Sequence, residues 1–229
     1  WKAKILSADA AVIPDLPTLH ARARALVRDD SYAASAVRAF RRNVVGGGIR
    51  CAPQRQAGAA LDDKWNRAAG DLWKRWSDSP RFVDIERRRN FAEVQRWVVD
   101  ELVVAGEALV RLCARDHGPG LPKLSLQCIE AEQLDRDLTF HEGPDGVKRE
   151  VRGGVEVDEF GAAVAYHIKA FTSPDLHRIT MTAQRIDAKE ILHIMEPGRA
   201  RQTRATGRMT ASIERLRNQI GRASCRERV

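Results

Sequence analysis

The stretch AFRRNVVGGGIRCAP, residues 39–53, sets arginines around three consecutive glycines, Gly46, Gly47 and Gly48. Backbone amides in a glycine-rich loop can cradle phosphate, so nucleotide chemistry is the first reading to test. A phosphate loop needs Lys then Ser or Thr after its glycines, on the way from a strand into a helix. Neither residue follows here, and the apolar pattern puts a helix before the glycines rather than after them. A dinucleotide fingerprint fails on the same count. The glycines read instead as a structural corner, ending a helix and turning the chain into a short strand, IRCAP, that Pro53 closes.

Other reactive residues give no constellation. None of the six histidines, His20, His117, His141, His167, His177 and His193, has another histidine or a cysteine at i+3 or i+4, so no metal site is read from spacing. His167 and His193 read as packed or edge residues of strands. The serines lack a G-x-S-x-G elbow. Glu107, between a helix stop and a strand, has the position of a general base, but a structural carboxylate hydrogen-bonded to backbone is the plainer reading. Asp135 with Asp137, and Asp158 with Glu159, sit in polar turns and read as solvated. Arg199, Arg201, Arg204 and Arg208 form the basic cluster; a nucleic-acid or subunit contact and a solvated loop are both open to it. No catalytic residue, cofactor or metal is expected.

The elements that must carry these residues follow from periodicity. The chain has 229 residues, room for one domain or slightly more. Apolar residues at 43% and a mean hydropathy of −0.42 fit a soluble globular protein. The net charge of +8 favours a polyanionic partner without naming one. The best apolar run, residues 98–112, is broken by Asp100, Glu101, Glu107 and Arg111, too charged and too short to cross a membrane. Helices are predicted over 16–27, then from Ser31 with Asp30 as cap, with Ala33, Val37, Phe40 and Val44 as its apolar stripe. A third spans 61–76, and Asn90 with Glu93 opens a fourth through a capping box. Trp65, Trp76 and Trp97 read as core. Strands follow at 107–114 and KLSLQCIE, then a polar loop at 139–150, a hairpin over 154–170, a strand at 191–195, a basic mobile loop at 199–207 and a helix from Thr210. Cys51, Cys113 and Cys128 fall on predicted strands and read as small buried hydrophobes. Helices first and mostly antiparallel strands after them make the fold class α+β. The sequence opens on Trp1, and its end, IGRASCRERV, has no periodicity and resembles a translated sequencing adapter. Residues 1–219 are therefore expected to form the structured unit, incomplete at its ends, and 220–229 a non-native tail.

Four motifs in order resemble the lambda-type phage portal proteins. Leu19, Arg22, Arg24, Leu26 and Arg28 lead to Asn43, Val44, Val45, Gly46, Gly48 and Ile49; Trp73, Trp76 and Phe91 lead to Gly106-Glu107; then come LSLQCIEAEQLD and IDAKEILHIMEPGRARQTRATG. His20 stands where that pattern has arginine, Asp30-Ser31 where it has Asn-Pro or Asn-Asp, and Ala205 where it has glycine. The resemblance implies a wing-like α+β region that stops before the stem and clip, in a non-enzymatic subunit of a dodecameric ring, the head-tail connector. Double-stranded DNA would be packaged and ejected through that ring. It further implies partners in the ring itself, the terminase, and the capsid and head-tail joining proteins, with no membrane. The location would be the portal vertex of the virion, after assembly in host cytoplasm. Alternative readings are a basic nucleic-acid-binding module, which would need Arg38, Arg41 and Arg42 to form one continuous basic face with the arginines of 199–208, and a phage nucleic-acid-processing enzyme that would need Glu107, Asp135 and Asp158 to converge.

Overall fold

The computed structural model describes residues 5–169 and 183–215. The tail 220–229, together with His177, Ser173, Ala170 and Leu216, lies outside the described residues.

Among the described residues, the helices that come first or lie between short strands are α1 (Ala8–Val12), α2 (Leu16–Asp29), α3 (Ser31–Val44), α4 (Asp63–Ser77), α5 (Pro80–Val83) and α6 (Phe91–Val104). A two-residue ribbon, β1 (Gln56–Ala57) with β2 (Ala60–Leu61), precedes α4. Their boundaries have local causes. Asp30 accepts Ala33 N–H at 2.7 Å and starts α3. Asn90 and Glu93 close a reciprocal capping box at 3.0 and 2.8 Å and start α6.

Apart from that ribbon, the described strands form two antiparallel sheets. The first has three strands in the order β10 (Ile191–Met195), β3 (Glu107–Ala114), β4 (Leu124–Ile129). The second has five in sequence order: β5 (Phe140–Glu142), β6 (Lys148–Arg152), β7 (Val155–Val157), β8 (Ala163–Ile168) and β9 (Gln184–Asp187). Successive side chains of β3 face opposite sides. Leu109 therefore joins Ile129, Ile191, Val155, Tyr166 and Ile168 in a core shared by both sheets. Val110 and Leu126 pack with Trp76, Val83 and Val94 of the helices. A third core joins α2, α3 and α6 to Met209 and Ile213. Among the described residues, no helix is long and apolar enough to cross a membrane.

At the end of α6, Gly106 adopts φ 94°. A Cβ on it would lie 2.2 Å from the Thr206 carbonyl carbon, and one on Gly207 would lie 2.1 Å from Val104 O. Two backbones touch there, which only glycine permits.

Several expectations need correction. IRCAP is not a strand: residues 49–53 have no ladder partner, and Cys51 is exposed. The chain leaves α3 through Gly46 (φ 54°) and Gly48 (φ 108°) into extended coil, with Gln95 Oε1 accepting Ile49 N–H at 2.8 Å. Gly47 has an ordinary φ and open space around it. The α3 stripe fades, since Phe40 and Val44 are 43% and 58% exposed. Trp65 is likewise exposed, with Arg55 over its ring. The polar stretch 139–150 holds β5 and most of β6 instead of a loop. The segment 203–209 is packed except at exposed Arg208: Arg204, Ala205, Gly207 and Met209 are buried.

Candidate nucleic-acid interface

The cluster at 199–208 separates in three dimensions. Arg204 is 3% exposed, so it is withdrawn as a contact for nucleic acid or a neighbouring subunit. Its Nε donates to Glu107 Oε1 at 2.7 Å, its Nη2 to Ala131 O at 3.0 Å, and its Nη1 to Gly153 O. Glu107 opens β3 and is fully buried, with its Oε2 2.9 Å from His193 Nε2 on β10. Burial pushes this carboxyl up, but Arg204 and then His193 outweigh it and hold its pKa at about 2. One guanidinium thereby clips the first sheet to the turns at Ala131 and Gly153 that serve the second. Glu107 is a structural carboxylate held mainly by side chains rather than by backbone, and it has no access for a substrate. Arg208 pairs with Glu196, and Arg199 Nη2 donates to Leu6 O at 3.1 Å. Arg201 is exposed, with φ 59°. Thr203 fixes the segment further, its amide and hydroxyl each donating to Asp9 at 2.7 Å.

A second guanidinium, Arg24 on α2, is doubly bidentate. It binds both oxygens of Glu132 (2.6 and 2.9 Å) and both of Glu101 (3.0 and 2.7 Å). Burial keeps the Glu101 carboxyl above its ordinary range despite Arg24. In Glu132, burial is outweighed by Arg24 and the pKa falls.

One face of the five-stranded sheet, opposite the shared core, carries His141, Arg149, Glu156, His167 and Arg185, one from each strand. Glu156 is fully buried beneath them. His141 Nδ1 and His167 Nε2 lie 3.2 and 3.1 Å from Glu156 Oε2, making a trio of potential metal ligands. Arg185, however, donates to both oxygens of Glu156, at 2.8 and 3.0 Å, and Arg149 stands 3.8 Å away. A cation there would face two guanidinium groups, so the donor set suits an ion-pair network better than a metal. The carboxylates an enzyme would need are used separately. Asp135 pairs with Lys169 at 2.7 Å, and Asp158 accepts Phe160 and Ala162 amides at 2.9 and 2.8 Å.

Six arginines do converge elsewhere. Arg38, Arg41 and Arg42 from α3, Arg88 and Arg89 from the loop before α6, and Arg96 from α6 line one concavity of about 640 Å³. The α3 trio shares a face because it is spaced at i, i+3 and i+4. The loop is shaped by buried Asp84, whose carboxylate accepts the amides of Glu86, Arg88 and Arg89 at 3.0–3.1 Å.

Against known proteins, the chain matches the family "Phage portal protein, lambda family" over residues 1–225. The chain belongs to that family. The probable portal protein of Halomonas phage phiHAP-1 is 30% identical over 201 residues, covering 86% of this chain and 38% of the relative. Portal protein B of Escherichia phage lambda is 24% identical over 227 residues, covering 95% and 42%. The chain thus spans about two fifths of the length of the curated relatives it matches. A solved structure, the neck of an empty GTA particle computed with C6 symmetry, aligns with TM-score 0.52 at 13% identity, over 90% of this chain and 45% of that one. This likeness shows a shared fold, helices followed by antiparallel sheets.

Two of the departures from the lambda-family pattern, His20 and Ala205, have local explanations. His20 is buried, with Nε2 3.1 Å from Ala105 O at the end of α6, and burial lowers its pKa. Ala205 is not among the described non-glycine residues with positive φ, so its Cβ meets no backbone restriction. Sequence reasoning named Arg38, Arg41 and Arg42 but missed Arg88, Arg89 and Arg96. The run Arg87-Arg88-Arg89 was the available signal for the first two. Nothing local marked Arg96, which the α3–α6 packing brings to the others.

Proposed function

We infer that this lambda-family chain is part of a structural subunit of the phage portal ring, the head-tail connector through which double-stranded DNA enters and leaves the capsid. The family match across 225 residues carries the reading. The geometry supports it, because the candidate catalytic carboxylate, Glu107, is closed inside an Arg204–His193 knot that joins two sheets. The subunit has no enzymatic role in this account. Its partners are further copies of itself, the terminase, and the capsid and head-tail joining proteins, at the portal vertex of a virion assembled in host cytoplasm. Residues 1–219 supply the wing-like region. Arg199 and Arg201 remain candidates for contact with a neighbouring subunit.

The test is assembly. A ring requires a heterologous interface repeated until it closes. Joined to its natural C-terminal continuation, the chain should give closed rings by negative-stain imaging, whereas the 229 residues alone should give monomers or irregular aggregates. Failure of the extended protein to close, or magnesium-dependent DNA cleavage that is lost in Glu107→Gln, overturns the reading.

A further inference from the structure

The arginine-lined concavity between α3 and α6 has a charge pattern that its own fold leaves unanswered. Its lining carries six guanidinium groups and two carboxylates, Glu93 and Asp100, a net +4. Both carboxylates have other duties. Glu93 Oε2 accepts the Asn90 amide in the capping box. Asp100 pairs with Arg41 alone, at 3.0 Å.

Of the remaining five arginines, two are held by uncharged acceptors, two stand at the long edge of ion-pair distance, and one is free of any carboxylate among the described residues. Arg96 Nε donates to the carbonyl of Gly46 at 3.1 Å, and Arg38 Nη2 to Ser35 Oγ at 2.7 Å. Neither acceptor carries a charge. Arg88 and Arg89 are 3.7 and 3.9 Å from Glu86 and Asp84, longer than a charge-assisted hydrogen bond. Asp84 is already turned to three backbone amides. Arg42 is exposed and has no carboxylate partner among the described residues.

We propose that this concavity docks the sugar-phosphate backbone of double-stranded DNA. Every cation of the lining is arginine, whose planar fork matches two phosphate oxygens at once. The groups come from two helices and a loop, so they can meet successive phosphates rather than one ion. The aromatic residue at the floor, Trp97, packs into the helix core, and no free side-chain amide lines the concavity to read a base edge. With these arginines on phosphate oxygens rather than on base edges, binding here is independent of sequence. The choice of duplex DNA rests on the portal reading; the phosphate chemistry rests on the arginines alone.

The experiment is a fluorescence-anisotropy titration of the 229-residue chain with a labelled mixed-sequence duplex, repeated across salt concentrations. Arg38→Glu/Arg42→Glu should weaken binding by about tenfold or more and lower the salt slope by about 2. Both side chains are exposed, and an unchanged thermal melt confirms an intact fold. Lys64→Glu/Arg67→Glu, an equal charge change on the exposed face of α4, should stay close to wild type. Equal loss in both double variants, or none in the first, overturns the site. So does tighter binding of poly-glutamate than of duplex at matched charge, which would make an acidic protein the partner. Ring closure by the extended protein carrying Arg38→Glu/Arg42→Glu is scored separately, so loss of the site leaves the portal reading standing.

Discussion

Arg204 and Arg42 are the same residue type, each in a stretch dense with arginine, and their fates are opposite. Arg204 is sealed between two sheets with Glu107 and two carbonyls on its donors. Arg42 stands exposed on a helix, facing a concavity of further cations. The difference lies in what topology places opposite each one. β3 begins with a carboxylate where residue 204 passes, whereas the α3–α6 contact brings Arg96 to Arg42. A basic segment in sequence therefore does not locate a basic surface; the distribution of counter-charges does.

The hardest test of that contrast is Arg204→Met. It leaves Glu107 buried with one cationic partner removed, and breaking such a pair costs about 3–5 kcal/mol. Urea unfolding should show this loss, and Arg204→Met/Glu107→Gln should recover part of it. A change below about 1 kcal/mol in the single variant would mean that Arg204 is no different from a surface arginine. Gly207→Ala attacks the same segment through its backbone. With a Cβ aimed 2.1 Å from Val104 O, it should destabilise by about 1–3 kcal/mol, read by the same unfolding curves.

How much of this was legible in the sequence depended on range. The α6 start, the whole of β3 and the whole of β10 came out with their observed bounds, because a capping box and short strands rich in apolar residues are local signals. β5 and β6 did not, because Phe140–Glu142 and Lys148–Arg152 are short and largely exposed, and their pairing is what makes them strands. The site divides the same way. Glu107 and Arg204 were each conspicuous, but their union spans 97 positions. The Glu156 row joins five strands, and no window of sequence contains it.

The buried histidines allow a pH test of the interior against the surface. Burial lowers the pKa of both His20 and His167 from the ordinary 6.5, so the folded protein holds them neutral. The unfolded chain binds these protons first as pH falls. Stability should be intact above about 6.5 and decline below it, where the unfolded state carries more protons. The Glu107 contribution persists further, present above about 4.5 and lost only as pH approaches about 2. Melting temperature followed from pH 7.5 to 5 should fall, and His20→Gln should flatten the curve. A melt that rises over this range would contradict neutral, buried imidazoles.

The smallest expected effect sharpens the contrast from the exposed side. Arg42→Ala removes a charge that makes no ion pair among the described residues, so stability should change by less than about 0.5 kcal/mol. Arg208→Ala deletes a surface ion pair with Glu196, both partners being more than half exposed, and it too should cost only about 0–1 kcal/mol. The two variants are thus alike in unfolding and differ in salt response. Arg208 and Glu196 neutralise each other, so their small contribution should fade as ionic strength rises. Arg42 sits among like charges, so its removal relieves repulsion. Arg42→Ala should be slightly more stable than wild type at low salt and indistinguishable at high salt. If Arg42→Ala instead destabilises the protein at low salt, the concavity is internally compensated and the division between the two arginine groups disappears.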